Sequence, residues 1–311
     1  MNLKKISFEK IFFAFLITAT FSACTNNGTY ALDFLQKGNV ADSLKHYKEA
    51  INDYNKALEF NPNYAIAYNN RGKTEIDMEN YQAAIIDCNK AIVLNTNLSS
   101  AYSNRGLAEI SLKDYTKAIQ DCNNAIVLNP TIAGAYNNRG LAESDMDSCQ
   151  KAIKDYNKAI ALDIRFTEAY ANRGFMEINL QEYEKGIKDL NKAIELDSTF
   201  SIAYYNRGIA EDKLKDYKHA LQDCNKAIEL DSNSAVSFLY RGMVKFNSGN
   251  AVASVPDFEK ATHLDSTDVA AFANLGVAKY NLKDFDGAKI ACNKAIQLDS
   301  SLAKDLQQYM K

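Results

Sequence analysis

The sequence predicts an all-α protein built from eight tandem helix-turn-helix units. Its 311 residues include only 3 Pro and 13 Gly, so few turns other than short helix-helix connections are expected. A repeat of 34 residues runs through the chain, and within each repeat the apolar residues have helical spacing. The 36 basic and 39 acidic residues are well mixed and give a net charge of −3, which argues against a nucleic-acid partner.

The amino-terminal segment is predicted to be a targeting signal separate from the repeats. A basic start precedes an apolar run at residues 11–21, which is too short to span a bilayer but fits the hydrophobic region of a secretory signal. Residues 21–24, Phe-Ser-Ala-Cys, resemble the lipobox of bacterial lipoproteins. The resemblance implies a signal peptide at 1–23, lipidation of Cys24, a short tether at 24–30, and anchoring on the periplasmic or surface face of a membrane in the bacterial envelope. An ordinary cleaved signal and an uncleaved anchor are the alternatives.

The repeat is marked by glycine at a constant interval. An aromatic residue lies four positions before each glycine, and an alanine lies nineteen positions after it. The glycines are Gly38, Gly72, Gly106, Gly140, Gly174, Gly208, Gly242 and Gly276. The predicted units are 31–64, 65–98, 99–132, 133–166, 167–200, 201–234, 235–268 and 269–302, followed by a short carboxy-terminal cap at 303–311.

Each unit has the pattern of two amphipathic helices. In unit 65–98, residues 65–76 mark a first helix and residues 81–92 a second helix with a broad apolar face. The conserved spacing of Gly and Ala predicts that the two helices cross closely at these small residues. Four polar residues before second helices are predicted to cap them, since their side chains can accept a bond from a free amide. These residues are Asn80, Asp114, Asp216 and Asp284.

This pattern resembles the tetratricopeptide repeat, a helix-turn-helix unit of the same length. The chain departs from the family consistently, because the triplet Asn-Arg-Gly carries Arg where Leu is usual. The triplet occurs at 70–72, 104–106, 138–140, 172–174 and 206–208. The resemblance implies a right-handed solenoid of eight repeats and a role in protein-protein interaction.

The sequence does not favour an enzyme, and no cofactor or metal is expected. It contains no phosphate-binding loop, no dinucleotide-binding glycine motif, and no metalloprotease or serine-hydrolase motif. Four cysteines share one repeat position that elsewhere holds Tyr, Leu or Phe, so they are predicted to be free thiols in the core. They are Cys88, Cys122, Cys224 and Cys292.

Charged residues recur at fixed positions on both helices. Arg and Glu are four apart on the first helix, as in Arg71 and Glu75, and Asp recurs on the second helix, as in Asp87. The pattern predicts a structural ladder of Arg with Asp and Glu between helices, because a buried Arg needs paired carboxylates. A row of charged ligand contacts is the alternative.

A row of asparagines on the first helices is the predicted peptide contact. It comprises Asn70, Asn104, Asn138, Asn172, Asn206 and Asn274. First helices line the concave wall in the family that the chain resembles, and a carboxamide suits a peptide backbone because it both donates and accepts hydrogen bonds. The row is similar to an asparagine ladder in the repeats of O-linked N-acetylglucosamine transferases. Local hydrogen bonding of these side chains is the alternative.

An apolar stripe in the carboxy-terminal half is predicted to lie beside this row. Its candidate ligand contacts are Tyr205, Met243 and Phe246, and its other members are Ile202, Ile209, Val236, Leu239, Val277 and Tyr280. Part of the stripe is expected to pack between repeats, and the remainder would form an apolar floor for a ligand helix or strand.

Unit 235–268 departs most from the repeat. Tyr240 replaces the asparagine of the row and is predicted to stack on a ligand side chain. Pro256 falls inside the second helix, where proline removes a hydrogen bond, so a shortened or bent helix is predicted. A decayed repeat without a function is the alternative.

These observations favour a non-enzymatic scaffold, lipid-anchored in the bacterial envelope, that binds a peptide or protein segment in its concave groove. The alternative is an assembly protein that self-associates through its repeats as a homo-oligomer and has no peptide ligand.

Overall fold

The computed structural model describes residues 27–310, and every regular element in that range is a helix. The chain divides into two compact units after Leu162. Unit 1 contains α1 (27–43), α2 (Tyr47–Phe60), α3 (Ala65–Asp77), α4 (Tyr81–Leu94), α5 (Ser99–Ser111), α6 (Tyr115–Leu128), α7 (Ala133–Asp145) and α8 (Cys149–Leu162). Unit 2 contains α9 (Thr167–Asn179), α10 (Tyr183–Leu196), α11 (Ser201–Lys213), α12 (Tyr217–Leu230), α13 (Ala235–Asn247), α14 (Ala251–Leu264), α15 (Val269–Asn281), α16 (Phe285–Leu298) and α17 (Ala303–Leu306). The predicted all-helical fold is confirmed.

Within each of the two compact units, the helices pack as consecutive antiparallel pairs, one pair to each 34-residue repeat. An odd-numbered first helix packs on the second helix that follows it, and the second helix packs on the next first helix. From α3 onward each paired first helix has 13 residues and each second helix 14, as in α3 and α4. Neighbouring first helices also contact each other, as α3 does α5 and α11 does α13. This is the stacked arrangement of a tetratricopeptide solenoid.

The turn between paired helices has one conformation throughout. In unit 65–98, the Glu79 amide donates to the Ile76 carbonyl and the Asn80 amide to the Glu75 carbonyl, each at 2.8 Å. This Schellman pattern requires the middle turn residue to be left-handed, and Glu79 has φ of 62°. In unit 235–268 the middle turn residue is Gly249, with φ of 88°. Glycine adopts this left-handed conformation without steric cost.

Small residues allow the paired helices to cross closely. A Cβ added at Gly140 would lie 2.7 Å from the ring of Tyr156, which is 1% exposed. The four cysteines predicted in the core are free and buried, and burial raises the pKa of the Cys88, Cys122 and Cys224 thiols to about 12.

Among the expectations about second helices, capping by Asn80 is wrong, and of the shortened or bent helix predicted at Pro256 the shortening is wrong. Asn80 does not cap α4, since its amide donates to Glu75 Oε2 at 2.7 Å, whereas Asp114, Asp216 and Asp284 do cap their helices. The shortening predicted at Pro256 is absent, because α14 has the same 14 residues as its counterparts. Pro256 lies on the exposed side of α14, as does Val252 one turn earlier, so water can solvate the carbonyl that loses its amide partner.

The ends of the described chain add two observations. Residues 27–30, predicted as part of a tether, belong to α1. At the other end, Leu306 of α17 is 6% exposed and packs on Cys292 and Ala295, and the Tyr309 ring meets the Tyr280 ring edge-on. No helix within residues 27–310 combines the length and apolarity that a membrane span needs.

Candidate functional site

In five repeats, the ladder arginine links the two helices of its own repeat and contacts the repeat before it. Arg105 on α5 donates from Nε and Nη2 to both carboxylate oxygens of Asp121 on α6, at 2.5 and 2.7 Å. Its Nη1 donates to Asn89 Oδ1 on the preceding second helix, and its guanidinium lies 5.6 Å from the Tyr102 ring centre. Within the two units, the same three-way contact is made by Arg71, Arg139, Arg207 and Arg241. These contacts favour the structural interpretation of the ladder.

The glutamates of the ladder do not join these hydrogen bonds. In the described chain, one carboxylate oxygen of each of four glutamates is buried and accepts no hydrogen bond. They are Glu109, Glu143, Glu177 and Glu211. Burial, reinforced by the neighbouring Asp, raises the pKa of Glu109, Glu177 and Glu211 to about 7. The spacing of Arg and Glu predicted that these carboxylates pair with Arg, and nothing in it indicated an unpaired oxygen.

The asparagines of the row lie on the first helices, and three of them donate hydrogen bonds to the preceding repeat. The amide of Asn104 donates to Asn69 Oδ1 at 3.0 Å, and that of Asn138 to the Ser103 carbonyl at 3.1 Å. Asn70 donates in the same sense to Asn39 Oδ1 at 2.8 Å. Asn138 and Asn206 are buried, Asn172 is half-buried, and Asn274 donates to a carbonyl of its own helix. The bond of Asn274 is thus local, as the alternative interpretation has it, whereas those of Asn70, Asn104 and Asn138 join neighbouring repeats, which was not predicted.

Tyr240 does not present its ring to a ligand. It is 8% exposed, its hydroxyl donates to Asp212 Oδ2 at 3.1 Å, and its ring meets the Tyr205 ring edge-on at 5.7 Å. The predicted stacking position is corrected accordingly, because the larger side chain fills the space between α11 and α13.

The apolar stripe lies on α11, α13 and α15 of unit 2. At the amino-terminal ends of the first two helices, Ile202 and Val236 are 54% and 52% exposed. Below them, Tyr205, Met243 and Phe246 are half-buried and pack against the cores of adjacent repeats. The stripe thus combines repeat packing with an exposed apolar edge, which is a surface suited to a protein segment.

The comparisons with known proteins agree with this architecture. Models of the tetratricopeptide repeat match residues 65–97, 99–132, 133–163, 167–200, 201–234 and 269–302, and a further TPR repeat model matches 38–75. These ranges do not include unit 235–268, which nevertheless forms the helix pair α13 and α14. Among curated proteins, none matches the sequence significantly.

Several solved structures share the fold. The Cut9-Hcn1 hetero-tetramer of APC/C matches with a TM-score of 0.75 and 13% identity, over 85% of this chain and 53% of that chain. This chain therefore spans about half the length of that one. A tetratricopeptide repeat protein from Parabacteroides merdae matches with a TM-score of 0.59 and 19% identity, over 81% and 99% of the two chains. PilF from Pseudomonas aeruginosa matches with a TM-score of 0.60 and 18% identity, over 68% and 96%. These likenesses show the shared fold. The repeat models match more than half of the sequence, so the chain belongs to the tetratricopeptide repeat family.

Proposed function

We propose that this protein is a lipid-anchored scaffold of the bacterial envelope that binds a peptide or protein segment along the apolar stripe of unit 2. The observation that carries the proposal is the exposed pair Ile202 and Val236, which lies above the half-buried Tyr205, Met243 and Phe246. Apolar side chains at this spacing on neighbouring helices match the requirements of an amphipathic helix or an extended segment.

The asparagine row has a secondary part in this proposal. Its members at Asn70, Asn104 and Asn138 have donors engaged between repeats. Asn70 Oδ1 in addition accepts from the Asn69 amide at 3.0 Å, and Asn138 is buried, so much of the bonding of these side chains is used within the stack. Contact of the row with a ligand remains a prediction, and the apolar stripe supplies the main binding surface.

The stripe is tested with a paired substitution and a matched control. Ile202→Asp combined with Val236→Asp places two charges on the exposed edge, and Val252→Asp places one on the outer side of α14, where the residue is 68% exposed. Partners captured by the full-length protein in its host are identified by mass spectrometry, and the affinity of each purified partner is then measured. We expect at least about a tenfold loss in the paired variant, since each buried Ile or Val is worth roughly 1.5–3 kcal/mol. Equal binding by the paired variant and the control would contradict the assignment.

The lipid anchor is a separate part of the proposal. Cys24 and the predicted signal at 1–23 lie outside the described residues, so the proposal rests on the sequence Phe-Ser-Ala-Cys at 21–24. Cys24→Ser is expected to move the protein from the membrane fraction to the soluble fraction. Unchanged membrane partition of this variant would refute lipidation while leaving the binding surface untested by that result.

Self-association is the second candidate function. It is favoured by Ile86, Val93 and Val127, which are 66%, 76% and 80% exposed on the second helices of unit 1. Sedimentation of the Cys24→Ser protein distinguishes the two candidates. Concentration-dependent oligomers without a captured partner would support assembly, and a monomer that binds one partner would support the scaffold.

A further inference from the structure

A cavity in unit 1 contains the most deeply buried of the unpaired glutamates. It is enclosed by α4, α5 and α6 and has a volume of about 560 Å³. Glu109 and Asp121, which are 7% and 4% exposed, line its inner part. Exposed residues such as Gln82 and Asn124 line its rim. The cavity is open to solvent at its rim, whereas the unpaired Oε2 of Glu109 is itself buried beside the inner part.

The charges in this cavity leave one carboxylate without a counter-ion. Arg105 is paired with Asp121, and Lys117 with Asp114 at 2.5 Å. Glu109 is the remaining charged residue of the lining, and its Oε2 accepts no hydrogen bond from the described chain. A buried carboxylate without a partner carries a desolvation cost that a bound cation would offset.

A comparison between repeats shows why Glu109 lacks a partner. In unit 65–98 the equivalent Glu75 accepts a hydrogen bond from the amide of Asn80 at 2.7 Å. In unit 99–132 the turn residue at the same place is Asp114, which is an acceptor and is paired with Lys117. The unsatisfied oxygen therefore recurs at four of the five glutamates in this repeat position, and Glu75, which has the Asn80 amide as its partner, is the exception.

Unit 235–268 shows what can occupy this place. There Lys245 replaces the glutamate, and its ammonium lies 2.7 Å from Asp257 Oδ2. Arg241 holds the same Asp257 through Nε and Nη2 at 3.0 and 2.6 Å. An aspartate that is already bound by arginine thus accepts a second, ammonium cation in this fold.

We propose that the α4–α6 cavity binds the side chain of a lysine from a partner protein, with its ammonium beside Asp121 and against the Glu109 carboxylate, whose buried Oε2 turns into the cavity on binding. Ile85 and Leu112 line the cavity and would contact the alkyl stem. The amides of Gln82, Gln120 and Asn124 would contact the peptide backbone at the rim. A compact ammonium fits one free carboxylate oxygen better than a guanidinium, which requires two acceptors in a plane. This site is distinct from the apolar stripe, and its test does not depend on that proposal.

The first experiment is a titration with small probes, in which binding is measured from the methyl NMR signals of Ile85 and Leu112. The lysine probe is Nα-acetyl-lysine N-methylamide, and the matched neutral probe is the norleucine analogue. We expect shifts of these methyl signals with the lysine probe and none with norleucine. Absence of lysine-specific shifts at these residues would overturn the proposal.

Three variants test the assignment to Glu109. Glu109→Gln is expected to weaken binding of the lysine probe at least tenfold. Glu75→Gln is expected to change it by less than twofold, because Glu75 lies on α3 and does not line this cavity. Glu109→Lys is expected to abolish binding while the protein remains folded, because the introduced ammonium would lie on Asp121 as Lys245 does on Asp257. Wild-type affinity in Glu109→Gln would exclude Glu109 as the ligand group.

The pH dependence gives an independent measurement. Burial raises the pKa of Glu109 to about 7, with Asp121 and Asp114 raising it further and Arg105 and Lys117 lowering it. The nearby Cys88 and Cys122 have pKa values raised to about 12 and stay neutral. Binding of the lysine probe should therefore weaken about tenfold from pH 8 to pH 6, as Glu109 becomes protonated. A pH-independent affinity in the wild type would contradict the role of Glu109.

The source of the ammonium is distinguished with n-butylammonium, which has the head group and stem but no backbone. We expect it to bind more weakly than the lysine probe, because it cannot reach the rim amides. Binding of n-butylammonium as tight as that of the lysine probe would overturn the assignment to a peptide segment in favour of a free alkylamine.

Discussion

Replacing Glu109 with Gln should stabilise the protein above neutral pH, because the change removes a buried charge that accepts no hydrogen bond in the described chain. The side chain is 7% exposed, and burial raises the pKa of its carboxyl from 4.5 to about 7. Glutamine has nearly the same shape, and its amide can donate where the carboxylate cannot.

The direction and size of the effect follow from proton linkage. Between pH 4.5 and 7 the folded protein holds a proton on Glu109 that the unfolded chain releases, so stability is lost as pH rises through this window. At ~1.4 kcal/mol per unit of pKa shift, the loss is at most about 3.5 kcal/mol. Because Glu109 borders a cavity that is open to water at its rim, solvent partly screens its carboxylate, and a loss of about 1–2 kcal/mol is expected.

The assay is urea denaturation of wild type and Glu109→Gln at pH 4.5 and pH 8. We expect the two proteins to differ by less than about 0.5 kcal/mol at pH 4.5 and the variant to be more stable by about 1–2 kcal/mol at pH 8. Since stacked repeats need not unfold in one step, hydrogen exchange of the α5 and α6 amides localises the change. Glu75→Gln is the control, because Glu75 has a hydrogen-bond partner. A variant no more stable than wild type at pH 8 would refute the reasoning.

Three further outcomes are expected. Gly140→Ala should destabilise the protein by about 1–3 kcal/mol in thermal denaturation, because its new Cβ would meet the Tyr156 ring at 2.7 Å. Gly134→Ala in the same helix is the control and should be neutral or stabilising, because its Cβ would meet nothing closer than 4.0 Å. Gln181→Gly should raise the free energy of unfolding by about 0.5–1 kcal/mol, because Gln181 holds a left-handed φ of 64°; a decrease would show that the turn is not strained. The buried Cys88 thiol should not react with a thiol reagent at pH 8 in the folded protein, and rapid labelling without denaturant would contradict its burial.

The repeat made most of the fold predictable from the sequence. Helical spacing and a constant 34-residue interval predict the pairs, and the small residues identify where they cross. The pairing of Arg105 with a carboxylate was also predictable, since a buried guanidinium requires one. The sequence could not show that Asp121 would take both donors and leave Glu109 unpaired, because both carboxylates lie within reach of the same arginine.

The unpredicted features depend on side-chain exposure. Pro256 does not shorten α14, because its position faces solvent, and a single sequence does not show how local curvature sets that exposure. Likewise, a row asparagine can hydrogen-bond to the preceding first helix only if the two helices are close enough, as in the bond from Asn104 to Asn69. That distance depends on the packing of the whole stack and is not contained in the spacing of the row itself.

The three-way contact of the ladder arginine makes the junctions between repeats interchangeable. Each such arginine takes its aspartate from its own repeat and its asparagine from the repeat before, as Arg105 does with Asp121 and Asn89, and Arg139 with Asp155 and Asn123. Deletion of residues 99–132 would bring Asn89 to Arg139 with every donor and acceptor still matched. Unequal recombination within such a gene can therefore change the number of repeats without creating an incompatible junction, and chain length can evolve independently of the interface that holds neighbouring repeats together.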